Sequence, residues 1–402
     1  MRIRAVLPGP ILLWAMVTLP AMNPIAGPSA VAASTVSPST VSPAARPAAK
    51  ALFRLSDPRL TEVSGLAPGH RSPSVLYVQN DGGDRARFYA LDAGTGAVRA
   101  VCAVPSAQNV DWEDIATAPD RSGRWSVWLA DIGDNDAVRS EIRIYRVAEP
   151  VIGSASQLDT ERPDVWRLRY PDGPHDAESL VVDPVDGRLY VITKALLGHS
   201  AVFQAPEQPD PTRVRPMSRV GSIDFGLTGT PGGPNPVGQL TATGAAMAAD
   251  GSLLAVRTYT DAYLWRVGIG RIAAALRQPP VRVPLPVQPQ GEGIAVTAGA
   301  LLLDSEGTGS QVYRVPLPAL PRATPSPSGT PSPSGTPAGG PSTGPAGTSP
   351  ASGSSTAESA TGHPRPATGH RTSTNRDWLV STATIGALAA VALLARRRRR
   401  DR

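Results

Sequence analysis

The chain has 402 residues, 41% of them hydrophobic, which is enough to bury the core of at least one folded domain. Its formal net charge of +6 comes from the two ends, because residues 51–320 hold 25 basic and 30 acidic residues and so carry a charge of −5. This acidic central region disfavours a surface that tracks nucleic-acid phosphates, so no nucleic-acid partner is expected. The single cysteine, Cys102, excludes an intramolecular disulfide.

The N-terminus has the pattern of a secretory signal peptide over residues 1–33. Two arginines precede an apolar stretch, and small residues around Ala32 offer a cleavage site. An uncleaved anchor is the alternative, and three prolines within the first 20 residues count against it. Residues 34–50 are predicted to be a flexible segment. The pattern therefore predicts an exported protein.

A module recurs five times in residues 61–317. Each copy opens with small and apolar residues, usually led by a carboxylate, and continues with a turn, an apolar run, a polar loop and an aromatic-rich run. Self-similar units of strands at this period predict an all-β fold, a β-propeller over residues 51–320. The copies begin near Glu62, Glu113, Glu178, Thr243 and Glu292.

Five blades account for the whole repeated region. The first four modules are predicted to supply four strands each, whereas the fifth lacks its last strand. Residues 52–55 are predicted to pair with that last blade and so close the ring without an exposed sheet edge. Six blades are the alternative, if residues 226–237 hide a degenerate pair of strands. The glycine and proline content of that segment favours a surface loop instead.

The C-terminal region is predicted to hold the domain at a membrane. Residues 321–376 are rich in Pro, Ser, Gly and Thr, which predicts a disordered stalk. Residues 378–395 carry no charge and are just long enough for a transmembrane helix. The basic tail, residues 396–402, is predicted to stay in the cytoplasm, which leaves the propeller outside.

A second form of attachment is also open. The five residues from Arg365 to Gly369 resemble the pentapeptide that sortases cleave between Thr and Gly, here Thr368-Gly369. The segment precedes an apolar stretch and a polybasic tail, which is the layout of a wall-sorting signal. Arg365 stands where leucine is usual in that signal, so cell-wall attachment is the alternative to a membrane anchor.

Charged residues recur at equivalent places in the modules. In a propeller the first strand of each blade lines the axial channel and the second strand returns antiparallel to it, so the start of one and the end of the other share a face. We therefore predict one channel mouth that collects these charges and binds a ligand. The starts of the first strands supply Glu62, Glu113, Glu178 and Glu292, and Thr243 breaks the series. The ends of the second strands supply Asp81, Asp131, Lys194, Arg257 and Glu306.

Two loops after second strands share the pattern Asp-x-Gly-Asp. Two carboxylates three residues apart in a glycine turn offer hard oxygen ligands, which calcium prefers. The candidate metal ligands are Asp81, Asp84, Asp131 and Asp134. Aspartate and glycine are also ordinary turn residues. The alternative is therefore a ring of acids that Lys194 and Arg257 neutralise through ion pairs.

His175 stands three residues before Glu178 at the start of the third module. A neutral imidazole beside the channel can act as a base or a ligand, so His175 and Glu178 are the candidate catalytic residues. The alternative is a loop histidine that only makes hydrogen bonds. Residues 51–320 contain no Gly-x-Ser-x-Gly elbow and no His-Glu-x-x-His motif, which disfavours a serine hydrolase.

The motifs as a set resemble a family of exported actinobacterial β-propeller proteins, described as WD-repeat-like or esterase-like. The resemblance covers residues 55–317 and implies fold and export without an established reaction. More remotely, the layout is similar to six-bladed lactonase-type propellers, whose channel metal is held by acidic groups. The matching residues include Asp111-Trp112-Glu113-Asp114, His175-Asp176-Ala177-Glu178, Arg257-Thr258-Tyr259 and Ser305-Glu306-Gly307.

Two functions follow from these observations. The first is a surface-displayed propeller that binds an extracellular ligand or protein at its acidic mouth without turnover. The second is a metal-dependent hydrolase of lactone or esterase type, in which calcium polarises a carbonyl and a carboxylate or His175 acts as the base.

Overall fold

The computed structural model describes residues 48–268 and 271–320, which form five β-sheets arranged as blades. Blade 1 contains strands β2 to β5, and blade 4 contains β16 to β19. Blade 2 contains β6, β7, β8 and β10, and blade 3 contains β11, β12, β13 and β15. Blade 5 contains β20, β21 and β22 together with β1. Besides the strands there are a 3-10 helix, Pro236–Leu240, and a short helix α1, Ile272–Ala275. The strands are β1 (Lys50–Arg54), β2 (Val63–Pro68), β3 (Val75–Asn80), β4 (Arg87–Asp92), β5 (Val98–Ala103), β6 (Trp112–Pro119), β7 (Trp125–Asp131), β8 (Ile142–Ala148), β9 (Gln157–Asp159), β10 (Asp164–Arg169), β11 (Ala177–Val182), β12 (Leu189–Thr193), β13 (His199–Gln204), β14 (Asp210–Pro216), β15 (Ser218–Asp224), β16 (Ala242–Met247), β17 (Leu253–Thr258), β18 (Asp261–Arg266), β19 (Val281–Pro284), β20 (Ile294–Thr297), β21 (Ala300–Leu303) and β22 (Gln311–Pro316).

The blades close into a ring. The innermost strands β2, β6, β11, β16 and β20 contact one another in this order, and β20 contacts β2. The N-terminal strand β1 pairs antiparallel with β22, with Lys50 opposite Arg314 and Arg54 opposite Gln311. The five-bladed fold and its closure by an N-terminal strand are therefore confirmed. The six-bladed alternative is wrong, because residues 226–237 contain no strand.

The hydrophobic core is divided among the five gaps between neighbouring blades. The second strands are almost continuously apolar because both of their faces are buried, as in β12, Leu189–Thr193. In the gap between blades 2 and 3, Trp128 and Trp166 pack at 5.4 Å between ring centroids. Cys102 lies fully buried in the gap between blades 1 and 2, where it packs as a small hydrophobe.

Two outer strands extend their neighbours' sheets. The loop between the third and fourth strands of blade 2 supplies β9, which pairs parallel with β5 of blade 1. The corresponding loop of blade 3 supplies β14, which pairs parallel with β10 of blade 2. Each addition covers an outer sheet edge that would otherwise be open to pairing with another chain. These two strands are absent from the sequence-based prediction because their side chains are largely exposed and lack a buried face.

Several predictions lie outside the described residues. They concern the signal peptide 1–33, most of the segment 34–50, the stalk 321–376, the transmembrane helix 378–395, the tail 396–402 and cleavage at Thr368-Gly369. Strand β1 begins at Lys50, the last residue of the segment predicted to be flexible. Within residues 48–268 and 271–320, no helix has the length and apolar character needed to cross a membrane.

Candidate functional site

A β-bulge at the start of the innermost strand recurs in four blades. In blade 2 the register shifts between Trp112 and Asp114, so that Glu113 has no partner in β7. Equivalent shifts occur in blades 1, 3 and 4, and Glu292 holds the corresponding place ahead of β20. Bulges of this kind re-aim a side chain and are common beside functional sites. We call these five buried residues the bulge ring: Ser64, Glu113, Glu178, Thr243 and Glu292.

Hydroxyl groups replace carboxylates at two positions of the bulge ring. The Ser64 Oγ donates to the carbonyl oxygen of Glu113 at 2.7 Å and to its Oε2 at 3.2 Å. In the same way, the Thr243 Oγ1 donates to the carbonyl oxygens of Gly291 at 3.0 Å and Glu292 at 3.4 Å. Each hydroxyl therefore ties its blade to the glutamate of the next. The ring position of blade 1 is Ser64, and the sequence-predicted Glu62 lies two residues earlier and is exposed.

The charged ends of the second strands do not share one register. Asp131 is paired with Trp112 inside the sheet, and Arg257 is paired with Gly244. In blades 1, 3 and 4 the residues that follow the last pair are Asp81, Lys194 and Tyr259, whereas Glu306 lies three residues beyond Leu303, the last paired residue of β21. Asp131 and Arg257 therefore start deeper in the sheet than the sequence analysis expects, and Tyr259 takes the place assigned to Arg257.

Lys194 connects several members of the bulge ring. Its ammonium group forms an ion pair with Glu178 and lies 5.5 Å from the centroid of the Tyr259 ring. Burial raises the pKa of Glu113 and of Glu292, and the positive charge of Lys194 opposes both increases. Glu178 Oε2 and Glu292 Oε2 are buried and accept no hydrogen bond among the described residues. Lys194 thus lies among three buried carboxyl groups from three different blades.

A trio of carboxyl groups, Asp81, Asp111 and Glu113, lies beside this lysine. Their oxygen atoms come within 4.8 Å of one another, the only such group of acidic, histidine or cysteine ligands in the described part of the chain. Burial, together with the charge of Asp81, raises the pKa of Asp111 to about 7. A Cβ at Gly133 would overlap the carboxylates of Asp111 and Glu113, so only glycine fits there without a shift. Three hard oxygen donors this close suit a calcium ion.

The other predicted metal ligands have partners of their own. Asp84 pairs with Arg87 at 2.7 Å and accepts a hydrogen bond from the Tyr89 hydroxyl at 3.0 Å. Asp131 pairs with Arg139 at 3.0 Å, and Asp134 accepts the Arg139 backbone N–H at 2.7 Å. The two Asp-x-Gly-Asp loops therefore do not form one four-carboxylate site, and only Asp81 belongs to the trio.

Arg257 is fully buried beneath the mouth and joins blades 4 and 5. Its guanidinium donates to the carbonyl oxygens of Gly293 at 2.8 Å and Asp304 at 3.2 Å, and to Gln288 Oε1 at 3.1 Å. Burial raises the pKa of Asp304 to about 7, although nearby Arg257 and a hydrogen bond of 2.6 Å from the Gly293 N–H oppose that increase. Arg257 therefore holds the frame of the site through backbone carbonyls.

Asp114 reaches from blade 2 to two further blades. Its Oδ2 accepts the backbone N–H of Leu180 in blade 3 at 2.8 Å and that of Ala245 in blade 4 at 3.3 Å. Its Oδ1 accepts the N–H of Ile115 at 2.9 Å. Burial raises the pKa of this carboxyl group, and the three N–H donors oppose the increase. Asp114 thus links three innermost strands at the floor of the acidic mouth.

His175 is bound within its own loop. Its Nε2 lies 2.9 Å from Asp172 Oδ1, and its ring packs edge-on against Tyr170 at 5.0 Å and tilted against Phe203 at 5.4 Å. These contacts connect His175 to the loop and core of blades 2 and 3. They match the hydrogen-bonding alternative given for this histidine, and its role as a catalytic base stays a prediction.

Four groups of the site are not among the site residues predicted from the sequence: Asp111, Asp114, Tyr259 and Asp304. A signal for Asp111 exists, because Asp111 and Asp176 each stand two residues before a glutamate of the bulge ring. Tyr259 follows its second strand in the same place as Lys194. Asp114 and Asp304 carry no such signal, because carboxylates at their positions occur in one blade each.

The opposite end of the channel differs in chemistry. It is lined by the distal ends of the innermost strands, which carry mainly aliphatic side chains such as Leu66, Ile115, Leu180 and Val296. His70 lies in this lining and stacks on Trp125 at 3.5 Å between ring centroids, and burial lowers its pKa to about 4. The charged site is therefore confined to the face where the innermost strands begin.

No protein-family model matches the chain, and no curated protein matches it. Solved structures with a similar arrangement include a glucose dehydrogenase, with a TM-score of 0.37 and 12% identity over 68% of this chain and 100% of that one. A gluconolactonase from Xanthomonas campestris has a TM-score of 0.34 and 13% identity, over 67% of this chain and 89% of that one. The Cps50 β-propeller domain of Myceliophteria thermophila has a TM-score of 0.32 and 11% identity, over 63% of this chain and 83% of that one. Likenesses of this size say nothing about a shared activity.

Proposed function

We propose that the protein is an extracellular β-propeller, tethered to the cell surface, that binds a ligand carrying a positive charge at its acidic channel mouth. The proposal rests on one observation: carboxyl groups from blades 1, 2, 3 and 5 meet at one end of the channel around a single lysine. Export and tethering rest on the terminal sequence patterns and remain part of the proposal.

Negative charge that Lys194 does not fully compensate favours a cationic ligand at the mouth. Removing a carboxylate from water is costly unless it is paired, and Glu178 is the only carboxylate among the described residues with which Lys194 pairs directly. Glu292 keeps an oxygen without a hydrogen bond, and its pKa is raised by burial and by the negative charges of Glu306 and Asp304. A cationic ligand would relieve this repulsion, and the low local dielectric would strengthen its attraction.

Isothermal titration of the purified chain with calcium and with n-butylamine, at pH 8, tests this proposal. We expect at least one of these cations to bind, and Glu292→Gln to weaken that binding about tenfold or more, because the carboxylate that a bound cation would stabilise is lost. Glu161→Gln is the matched control, because Glu161 pairs with Arg124 on the exposed surface at 3.4 Å. Absence of binding to both cations would contradict the proposed function.

A calcium-dependent hydrolase of lactone or esterase type is the second candidate, favoured by the trio Asp81, Asp111 and Glu113. These three residues would hold the ion, and a bound calcium would polarise a substrate carbonyl. The candidate proton acceptors remain His175 and Glu178. One carboxylate oxygen of Glu178 accepts no hydrogen bond among the described residues.

The hydrolase candidate is tested with a panel of lactones and aryl esters, assayed with calcium and with chelator. Turnover that depends on calcium and falls in Gly133→Ala would support it, because a new Cβ displaces Asp111 and Glu113. Gly153→Ala is the control, since a Cβ there meets nothing within 4 Å. Calcium binding without turnover would leave the binding function and exclude this second candidate.

A further inference from the structure

Exposed apolar side chains are concentrated on the face that carries the acidic mouth. Among the described residues, eight large apolar side chains are exposed, and six of them lie in loops that enter a first strand or leave a second strand. Those loops all belong to the mouth face. We call these six residues the apolar arc: Val110, Val138, Leu196, Leu197, Leu227 and Val287.

The apolar arc follows the mouth closely in sequence. Val110 directly precedes Asp111 of the trio, and Leu196 and Leu197 follow Lys194 within three residues. Leu197 is 75% exposed and Val138 is 73% exposed, so these side chains face solvent. The arc draws on loops of blades 2 and 3 and on the loops that enter blades 4 and 5, whereas the loops after β3 and after β21 hold no exposed large apolar residue.

We propose that this face docks a polypeptide segment in which a lysine or arginine enters the acidic mouth while flanking apolar side chains pack on the apolar arc. This inference rests on the proposed function and names the class of its ligand. Exposed apolar residues next to a charged recess mark protein-binding surfaces, where apolar contacts provide affinity and charge complementarity provides orientation.

Charge selects a polypeptide over a lipid surface. The acidic mouth at the centre of the apolar arc repels the anionic headgroups to which peripheral proteins are usually drawn. A small cation alone would neutralise carboxyl groups of the mouth but leave the six apolar side chains in water. A segment with one basic residue between apolar residues satisfies both features at the same time, because alternate side chains of an extended peptide point to the same side and can reach the recess and its rim.

Selection of random heptapeptides on the purified full-length chain tests this inference. We expect enriched peptides to carry one lysine or arginine with apolar neighbours. The double variant Leu196→Gln/Leu197→Gln should bind an enriched peptide at least about tenfold more weakly, since two leucine contacts are lost. Glutamine adds no charge, so calcium or n-butylamine binding should stay as in the unaltered chain.

The control is Val151→Gln/Val185→Gln, which changes two exposed valines on loops of the opposite face, and it should bind the peptide normally. No enrichment, enrichment of peptides without a basic residue, or equal affinity of the leucine variant would overturn the inference. So would leucine-dependent binding to phosphatidylcholine or phosphatidylserine vesicles. If the chain still binds a cation in any of these cases, the proposed function stands. If it binds neither a peptide nor either cation, the proposed function itself fails.

Discussion

In this protein, a single residue can hold together blades that are far apart in sequence. Asp114 illustrates this, because one carboxyl group accepts backbone N–H groups from Ile115, Leu180 and Ala245 in three blades. A buried N–H without a partner costs about 1–3 kcal/mol, so the carboxyl group is needed although its own burial is unfavourable. Charged groups at the floor of the site are therefore part of the structure as well as of the mouth.

Asp114→Ala should lower the free energy of unfolding by about 3 kcal/mol or more, because three buried N–H groups lose their acceptor. Asp114→Asn should lose less, since one side-chain oxygen is kept. Thermal and urea unfolding measure both effects, with Asp250→Ala as a control in an exposed turn that accepts only local hydrogen bonds. An unchanged unfolding transition in Asp114→Ala would contradict the bridging role.

Asp304 gives a prediction about pH. Burial raises the pKa of this carboxyl group from 3.8 to about 7 in the folded protein. Between these two values the folded state holds the proton more tightly than the unfolded state, so the contribution of Asp304 to stability falls as pH rises from about 4 to about 7. Asp304→Asn should remove that dependence.

The measurement for Asp304 is the difference in melting temperature between the unaltered chain and Asp304→Asn from pH 5 to pH 8. The difference is needed because His70, with a pKa lowered to about 4, changes stability in the opposite sense. Parallel pH profiles of the two proteins would show that Asp304 does not titrate in this window.

At the scale of the element, the strands could be predicted better than the site. Apolar runs such as those of β3, β7 and β12 fix their own position because both faces are buried between blades. The polar strands β9 and β14 could not be found in this way, because they are held by backbone pairing at an outer edge. The site depends on bulges, which shift the register by one residue without a clear sequence signal.

The closing strand β1 should be essential for the last blade. A chain that starts at residue 48 is expected to melt like the unaltered protein, and one that starts at residue 56 should lose on the order of 5 kcal/mol or aggregate. The reason is that Phe53 and Leu55 leave the core between blades 5 and 1, and the edge of β22 is exposed. Melting curves and size-exclusion chromatography measure the outcome, and equal stability of the two chains would contradict it.

At the scale of the whole molecule, the two faces of the ring have different chemistry. The mouth face combines buried carboxyl groups with exposed leucines and valines, whereas the channel lining at the other end is mainly aliphatic.

Deletion of residues 378–402 should release the protein into the medium, because the proposed anchor and its basic tail are removed. Immunoblots of cells and of medium measure the distribution. Replacement of Thr368 by alanine in the full chain is the companion experiment, since it should change the distribution only if cleavage at Thr368-Gly369 attaches the protein to the wall. Truncated protein that stays bound to cells would contradict the anchor.

The sequence by itself determined the repeat, the five blades, the closing strand and the recurrence of acids at strand starts, because burial on both faces and module spacing are local properties. Only the tertiary structure decided which acids meet. The carboxyl groups that meet are those of Asp81, Asp111 and Glu113. Asp84 instead forms an ion pair with Arg87, and Arg257 is buried beneath the mouth. The physical reason is that a bulge, or a shift of one residue in strand register, turns a side chain toward a different neighbour. Packing between the blades determines which register the strand adopts.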